Sequence, residues 1–292
     1  PFILGRIGIN LAKKLNIPCI STLHTRFDFE FKRFVKNGVI AKKVVGVLIK
    51  SLNKCDLCTV VNDPLVLEAR NYGYKGRIRI VYNGTDLKPA IFKGIKKDMI
   101  NEMFNLKEED KVMIFVGRII DIKNIFFIMD ALKLLKDDNF SFKMFFVGEG
   151  PDYEKLIDRV KEYNLEDDVI LTGKITDRKL LSYIYRRSDL LLFPSLFDTS
   201  SLVRIEAAVN MTPGLFIRES MVGSTITDGV DGYLSELDVN LYKNKIISIF
   251  NNESELKKVS RNAKKNLGVS WSEIIYMYYK IYNEEISIKK DC

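Results

Sequence analysis

Short runs of consecutive apolar residues alternate with longer segments in which apolar residues recur every three or four positions, along most of this 292-residue chain. The runs at 17–23, 57–61 and 78–82 predict strands, with helices over 29–54 and 64–72. Asn83-Gly84-Thr85-Asp86 then reads as a turn. Between 87 and 110 the pattern breaks. Lysine and glycine accumulate there, as in Lys93-Gly94 and Lys96-Lys97-Asp98, which predicts a linker with one short helix. A second alternation follows, with strands at 112–116, 142–147, 169–171, 190–193 and 215–217 and helices at 125–136, 152–163, 179–187 and 202–210. A single aromatic-rich helix is expected over 271–290. The apolar strand runs are short and continuous instead of alternating. Both faces of the sheet must then be covered, which points to parallel sheets built from right-handed strand–helix–strand units.

Composition narrows the class of protein. Apolar residues at 47% and charged residues at 29% suit a folded soluble chain. No apolar run reaches the ~18 residues a membrane-spanning helix needs. The net charge of +8 favours anionic partners such as phosphorylated ligands, anionic lipid surfaces or nucleic acid, although a plain basic surface accounts for it equally well. The basic residues are spread out and no base-reading motif is present, so nucleic acid is not expected. Cys55 and Cys58 form a CxxC inside an apolar run, without a second CxxC or a histidine cluster. Buried thiols in a reducing cytoplasm are therefore expected, not a zinc site. The start, Pro1-Phe2-Ile3-Leu4-Gly5-Arg6, has neither an initiator Met nor a signal-peptide pattern, and the chain reads as a piece lacking its natural N-terminus.

Ligands of open parallel sheets sit beyond the carboxyl ends of the strands, and the unusual segments fall there. Gly117-Arg118 ends the first strand of the second alternation, with Lys123 close behind. A glycine admits close backbone approach, and an Arg fork with a Lys point charge suits a diphosphate; a solvated loop with two cations is the alternative. Gly148-Glu149-Gly150-Pro151 follows the next strand, either as a simple turn or as a wall of a nucleotide pocket. Phe193-Pro194-Ser195-Leu196-Phe197-Asp198-Thr199-Ser200-Ser201-Leu202 leads from a strand into a helix whose first amides suit an anion or a sugar. Glu206 lies on that helix among apolar residues, where a carboxylate requires partners. A salt bridge to Arg204 or Arg218 is one reading, and acceptance of two ribose hydroxyls the other. His24, the one histidine, ends the first apolar run and is either structural or functional. The basic and apolar helix 29–54 is compatible with an anionic membrane surface or with packing in the core.

In order and spacing, Gly117-Arg118 with Lys123, Gly148-Glu149-Gly150-Pro151 and the Asp198/Glu206 pair resemble glycosyltransferase family 4. The resemblance covers nearly the whole chain. It implies the GT-B fold, with two facing Rossmann-like domains and parallel sheets, the first domain incomplete. Residues 1–86 would be the C-terminal part of the acceptor-side domain, 87–270 the donor-binding domain, and 271–292 a helix crossing back to the first domain. The implied activity is retaining, metal-independent transfer from a nucleotide sugar, a UDP-sugar, to a lipid-linked or polysaccharide acceptor in cell-envelope glycan or glycolipid synthesis. It would take place in the cytoplasm, peripheral to the inner face of the plasma membrane.

The resemblance also implies roles for single residues. Arg118 and Lys123 would hold the diphosphate, Glu206 the ribose, and Asp198 the donor sugar at a position where the family carries glutamate. Gly117, Gly148, Glu149 and the amides near Ser201 and Leu202 would line the donor. His24 would face the transferred sugar. Neither a cofactor nor a metal ion is implied, and the family's glycine-rich first loop would precede residue 1. Two other functions remain open: a nucleotide-sugar-binding protein without transferase activity, and a sugar-nucleotide epimerase.

Overall fold

The computed structural model describes residues 3–27, 38–91 and 95–290; side chains at 41, 42 and 95–98 are outside the description. The chain forms two compact units, Pro1–Gly84 with Ser270–Cys292, and Thr85–Val269.

In the first unit, helix α1 (Ile3–Lys14) leads to strand β1 (Ile20–Leu23) and helix α2 (Gly38–Leu52). Strand β2 (Leu57–Val60), helix α3 (Asp63–Asn71) and strand β3 (Arg77–Ile80) follow. The strands pair in parallel in the order β1-β2-β3. β2 is central and fully buried, and its one polar side chain, Thr59, donates to the Thr22 hydroxyl of β1 at 2.9 Å. Asn62 caps α3, its side chain accepting from the amide of Leu65 at 2.9 Å, with Pro64 in the first turn where the missing N–H costs nothing. The chain's last helix, Trp271–Lys290, belongs to this unit. Arg77 and Arg79 of β3 pair with Glu285 and Glu284 of that helix, and Lys289 reaches Asp56 at 3.3 Å.

The expected long helix at 29–54 is described only from Gly38 to Leu52, and 28–37 lie outside the described residues. α1 is an element that the reading of the sequence did not anticipate. Cys55 sits just before β2, with its Sγ 3.6 Å from that of Cys19; Cys55 and Cys58 are buried. Burial pushes the thiols of Cys19 and Cys58 up, that of Cys19 to about 12.

The second unit begins with helix α4 (Ile95–Met103). It continues through β4 (Val112–Val116), α5 (Ile125–Asp137), β5 (Lys143–Val147), α6 (Tyr153–Glu162), β6 (Val169–Gly173) and α7 (Arg178–Arg187). Then come β7 (Leu190–Phe193), α8 (Leu202–Val209), β8 (Gly214–Ile217), β9 (Tyr233–Ser235), α9 (Val239–Phe250) and α10 (Glu253–Leu267). The six strands form one parallel sheet in the order β6-β5-β4-β7-β8-β9.

Side chains alternate between the two faces of a strand, so an unbroken apolar run feeds two cores. Met113 and Phe115 of β4 join one buried cluster with Leu132 and Ile246, whereas Val112, Ile114 and Val116 join another with Ile184 and Ala207. Each fully buried residue of this size contributes about 1.5–3 kcal/mol. β9, α9 and α10 had no counterpart in the sequence reading, which ended its regular alternation at 217.

The strand order places the site. From β4 the chain proceeds outward through β5 to β6, then returns to the other side of β4 for β7, β8 and β9. The loops after β4 and β7 therefore run in opposite directions from adjacent strands. They leave a crevice at the carboxyl ends, the usual ligand position in doubly wound sheets.

Candidate functional site

The loop after β4 carries Gly117, Arg118 and Lys123, and the loop after β7 carries 194–201. Two contacts tie these loops across the crevice. The Asn124 side-chain amide donates to the carbonyl of Pro194 at 2.8 Å. Lys123 Nζ donates to both carboxylate oxygens of Asp198, at 2.6 and 2.7 Å. This ion pair is only partly open to water, with 24% and 20% of the two side chains exposed, so screening weakens it less than a surface pair. Arg118 is exposed, and among the described residues no hydrogen bond or ion pair engages it.

The loop after β5 is fastened to the loop after β4 backbone to backbone. The amides of Gly117 and Ile119 donate to the carbonyls of Val147 and Glu149, both at 3.0 Å, and the amide of Asp152 donates to Ile119 at 3.2 Å. The Asp152 carboxylate accepts from the amide of Asp121 at 2.9 Å and from Lys155 at 2.8 Å. The approach is too close for a side chain. A Cβ at Gly148 would lie 1.8 Å from the carbonyl oxygen of Gly117, and one at Gly150 would lie 2.1 Å from that of Ile119. Gly148 also has φ +144°, in the region that favours glycine. These two glycines are thus demanded by one loop packing on another. Glu149 between them is exposed.

At the start of α8, Ser201 is the N-cap, and its hydroxyl accepts from the amide of Arg204 at 3.2 Å. Leu202 is 45% exposed at the first helical position. Asp198 stays in the loop and Glu206 lies on the helix, as their spacing predicts.

The partner of Glu206 differs from both expected arginines. Arg218 pairs with Glu236 and Asp228, and Arg204 hydrogen-bonds Thr225. Glu206 is instead held from α7: Arg178 donates to one carboxylate oxygen at 3.1 Å and the Tyr185 hydroxyl to the other at 3.3 Å. Arg178 also reaches Asp86. The reason is helix packing. α7 lies against α8, and that neighbour cannot be read from positions local to Glu206. Burial pushes the Glu206 carboxyl up, opposed by Arg178 and Tyr185, while burial and the Glu206 charge push the Tyr185 hydroxyl well up. Tyr185 therefore remains protonated, a permanent donor to Glu206.

Arg178, Tyr185 and Asn124 were missed by sequence reasoning. Arg178 carries one signal that was available: it follows Asp177, which caps α7 by accepting from the amides of Lys179 and Leu180. His24 follows β1 in the first unit, where burial lowers its pKa, so its ring is neutral near pH 7. Among the described residues, no group of His, Cys, Asp or Glu is placed to hold a metal ion.

Comparisons with known proteins show the family and the fold. Residues 96–266 match the family model "Glycosyl transferases group 1", and residues 1–89 match "Glycosyltransferase Family 4". An alpha-monoglucosyldiacylglycerol synthase of Streptococcus pneumoniae is 26% identical over 80% of this chain and 54% of its own length. The UDP-Gal:alpha-D-GlcNAc-diphosphoundecaprenol alpha-1,3-galactosyltransferase of Escherichia coli is 26% identical over 91% of this chain and 67% of its own. This chain thus spans about half to two thirds of those relatives. The solved structure of Anabaena HepE in complex with UDP superposes with a TM-score of 0.80 over 96% of this chain and 76% of its own, at 16% identity. That likeness speaks for the fold, which is GT-B with two Rossmann-like sets of parallel strands. With more than half its residues inside the group 1 model and a doubly wound second unit, the chain belongs to the group 1 glycosyl transferases.

Proposed function

We propose that the protein transfers a sugar from a nucleotide-sugar donor, a UDP-sugar, to a lipid-linked or polysaccharide acceptor in cell-envelope synthesis. The observation that carries this reading is the Lys123–Asp198 ion pair, which joins the loop after β4, where Arg118 stands exposed, to the loop after β7 at the switch point of one parallel sheet, with Glu206 on the helix that follows. Two cations beyond a strand end offer a diphosphate charge-assisted donors that strengthen as the leaving group gains charge. Glu206 offers two acceptor oxygens to a ribose diol, and Asp198 accepts from sugar hydroxyls. The residues themselves supply the charge compensation, without a resident metal or cofactor. A lipid-linked acceptor implies reaction at a membrane surface, on its cytoplasmic face. Among the described residues no helix is long and apolar enough to cross a membrane.

The test is a donor screen on the intact protein. UDP-, GDP- and ADP-sugars are compared by thermal shift, then by product formation with lipid-linked and polysaccharide acceptors. A ligand at a hundredfold excess over its Kd stabilises the folded state by about 2.7 kcal/mol. UDP-sugars should produce the largest shift and a glycosylated product. Binding without product would favour a nucleotide-sugar-binding protein, conversion of free donor without acceptor an epimerase, and no shift with any donor would remove the proposal.

The Lys123–Asp198 ion pair makes a second, sign-reversed prediction. A diphosphate competes with Asp198 for Lys123. Asp198→Asn removes that competitor and should tighten binding of sugar-free UDP about two- to fivefold, the scale of a partly screened ion pair. The same change should slow sugar transfer. Isothermal titration with UDP beside a turnover assay checks both signs; weaker UDP binding would contradict the competition.

A further inference from the structure

We infer that Arg178 and Tyr185 are positioning residues for donor binding: they aim the Glu206 carboxylate and leave its outer lone pairs open to a vicinal diol. This rests on reading Glu206 as the pentose acceptor and adds the residues that make it competent.

The geometry is a polar seam between two helices. Arg178, Ser182 and Tyr185 recur four and three residues apart, so they share one face of α7. Glu206 and Asn210 share a face across α8 and its C-cap by the same rule. The two faces are joined at every level. Arg178 and Tyr185 each take one oxygen of Glu206, Ser182 donates to Asn210 at 2.8 Å, and Asn210 donates back to the carbonyl of Glu206 at 2.9 Å. Glu206 is thereby fixed at both its backbone and its side chain.

An ionised carboxylate offers about four lone-pair sites. One donor on each oxygen leaves one site on each, the arrangement that two adjacent hydroxyls fill together. Only 11% of the Glu206 side chain is exposed, and an uncompensated carboxylate at that depth favours its neutral form, with one acceptor oxygen turned into a donor. Arg178 opposes this. Its other carboxylate, Asp86, is 77% exposed, so water screens that pair far more and Glu206 is the stronger partner.

The experiment is steady-state kinetics on the intact protein with its donor. Arg178→Ala should raise the donor KM about tenfold, the scale of one charged hydrogen bond, while kcat at saturating donor falls less than about threefold. Arg178→Lys should recover part of the loss. Tyr185→Phe, which deletes only the hydroxyl and serves if Arg178→Ala folds poorly, should raise the KM about threefold.

The deciding arm is a double-mutant cycle. On a Glu206→Gln background, Arg178→Ala should change the KM less than about twofold, because the group through which it acts is gone. An additive tenfold effect on that background would overturn the inference, as would a fall in kcat with the KM unchanged. If Glu206→Gln itself leaves the donor KM unaltered, the pentose reading fails and this inference falls with it.

Discussion

Arg118→Ala in the intact protein should reduce donor turnover about 10²–10³-fold and leave folding stability within about 0.5 kcal/mol. The two halves of this expectation come from the same observation. Arg118 stands exposed beside the switch-point crevice, and no described residue hydrogen-bonds or ion-pairs with its guanidinium. Deleting it therefore breaks no internal contact. What it removes is a donor fork placed where a departing diphosphate accumulates charge, a loss felt more in the transition state than in the ground state. Lys123→Ala would be a less clean experiment, because it also strands the Asp198 carboxylate that Lys123 holds at 2.6 Å. Turnover and thermal denaturation measured on one preparation decide the matter. Arg118→Ala with wild-type turnover would take the diphosphate away from this loop.

Gly148→Ala is the second large effect, and it acts through folding. The added Cβ would sit 1.8 Å from the carbonyl oxygen of Gly117, which is itself held by the ladder of amides joining the loops after β4 and β5. Backbone cannot rotate aside as a side chain can. At φ +144° the residue is also strained for any L side chain. Forced overpacking and backbone strain together cost about 3 kcal/mol. For a unit of this size that lowers Tm by about 6–12 °C. Gly46→Ala in α2 is the matched control: nothing lies within 4 Å of its Cβ and its φ is ordinary, so helix propensity should make it neutral to slightly stabilising, up to about 1 kcal/mol. Calorimetry of the two variants checks the contrast. If Gly148→Ala melts like wild type, the loops are not fastened as described.

Much of the fold was legible in the sequence, for local reasons. β4 and β7 lie where their unbroken apolar runs end, because burial on both faces leaves no position for a polar side chain. The last helix spans the expected residues, since its apolar positions recur with helical period. What went unread was of two kinds. β9 is only three residues long and pairs at the sheet edge, too short to show a period. α10, in contrast, carries buried Leu256, Val259 and Ala263 at helical spacing within a run of lysines, and that signal was present.

The candidate site divides along the same line. The sequence by itself determined which residue types stand at the strand ends: two cations after β4, glycines after β5, a carboxylate after β7 and a second carboxylate within α8. Tertiary structure alone decided who meets whom. The strand order brought the loops after β4 and β7 to adjacent positions, and so joined Lys123 to Asp198. The packing of α7 on α8 gave Glu206 to Arg178 and Tyr185, not to the nearer arginines in the chain. The physical reason is range. Hydrophobic period and turn chemistry act over a few residues and are written where they act, whereas a buried charge is satisfied by whatever side chain a distant element delivers, and only the assembled core specifies that delivery.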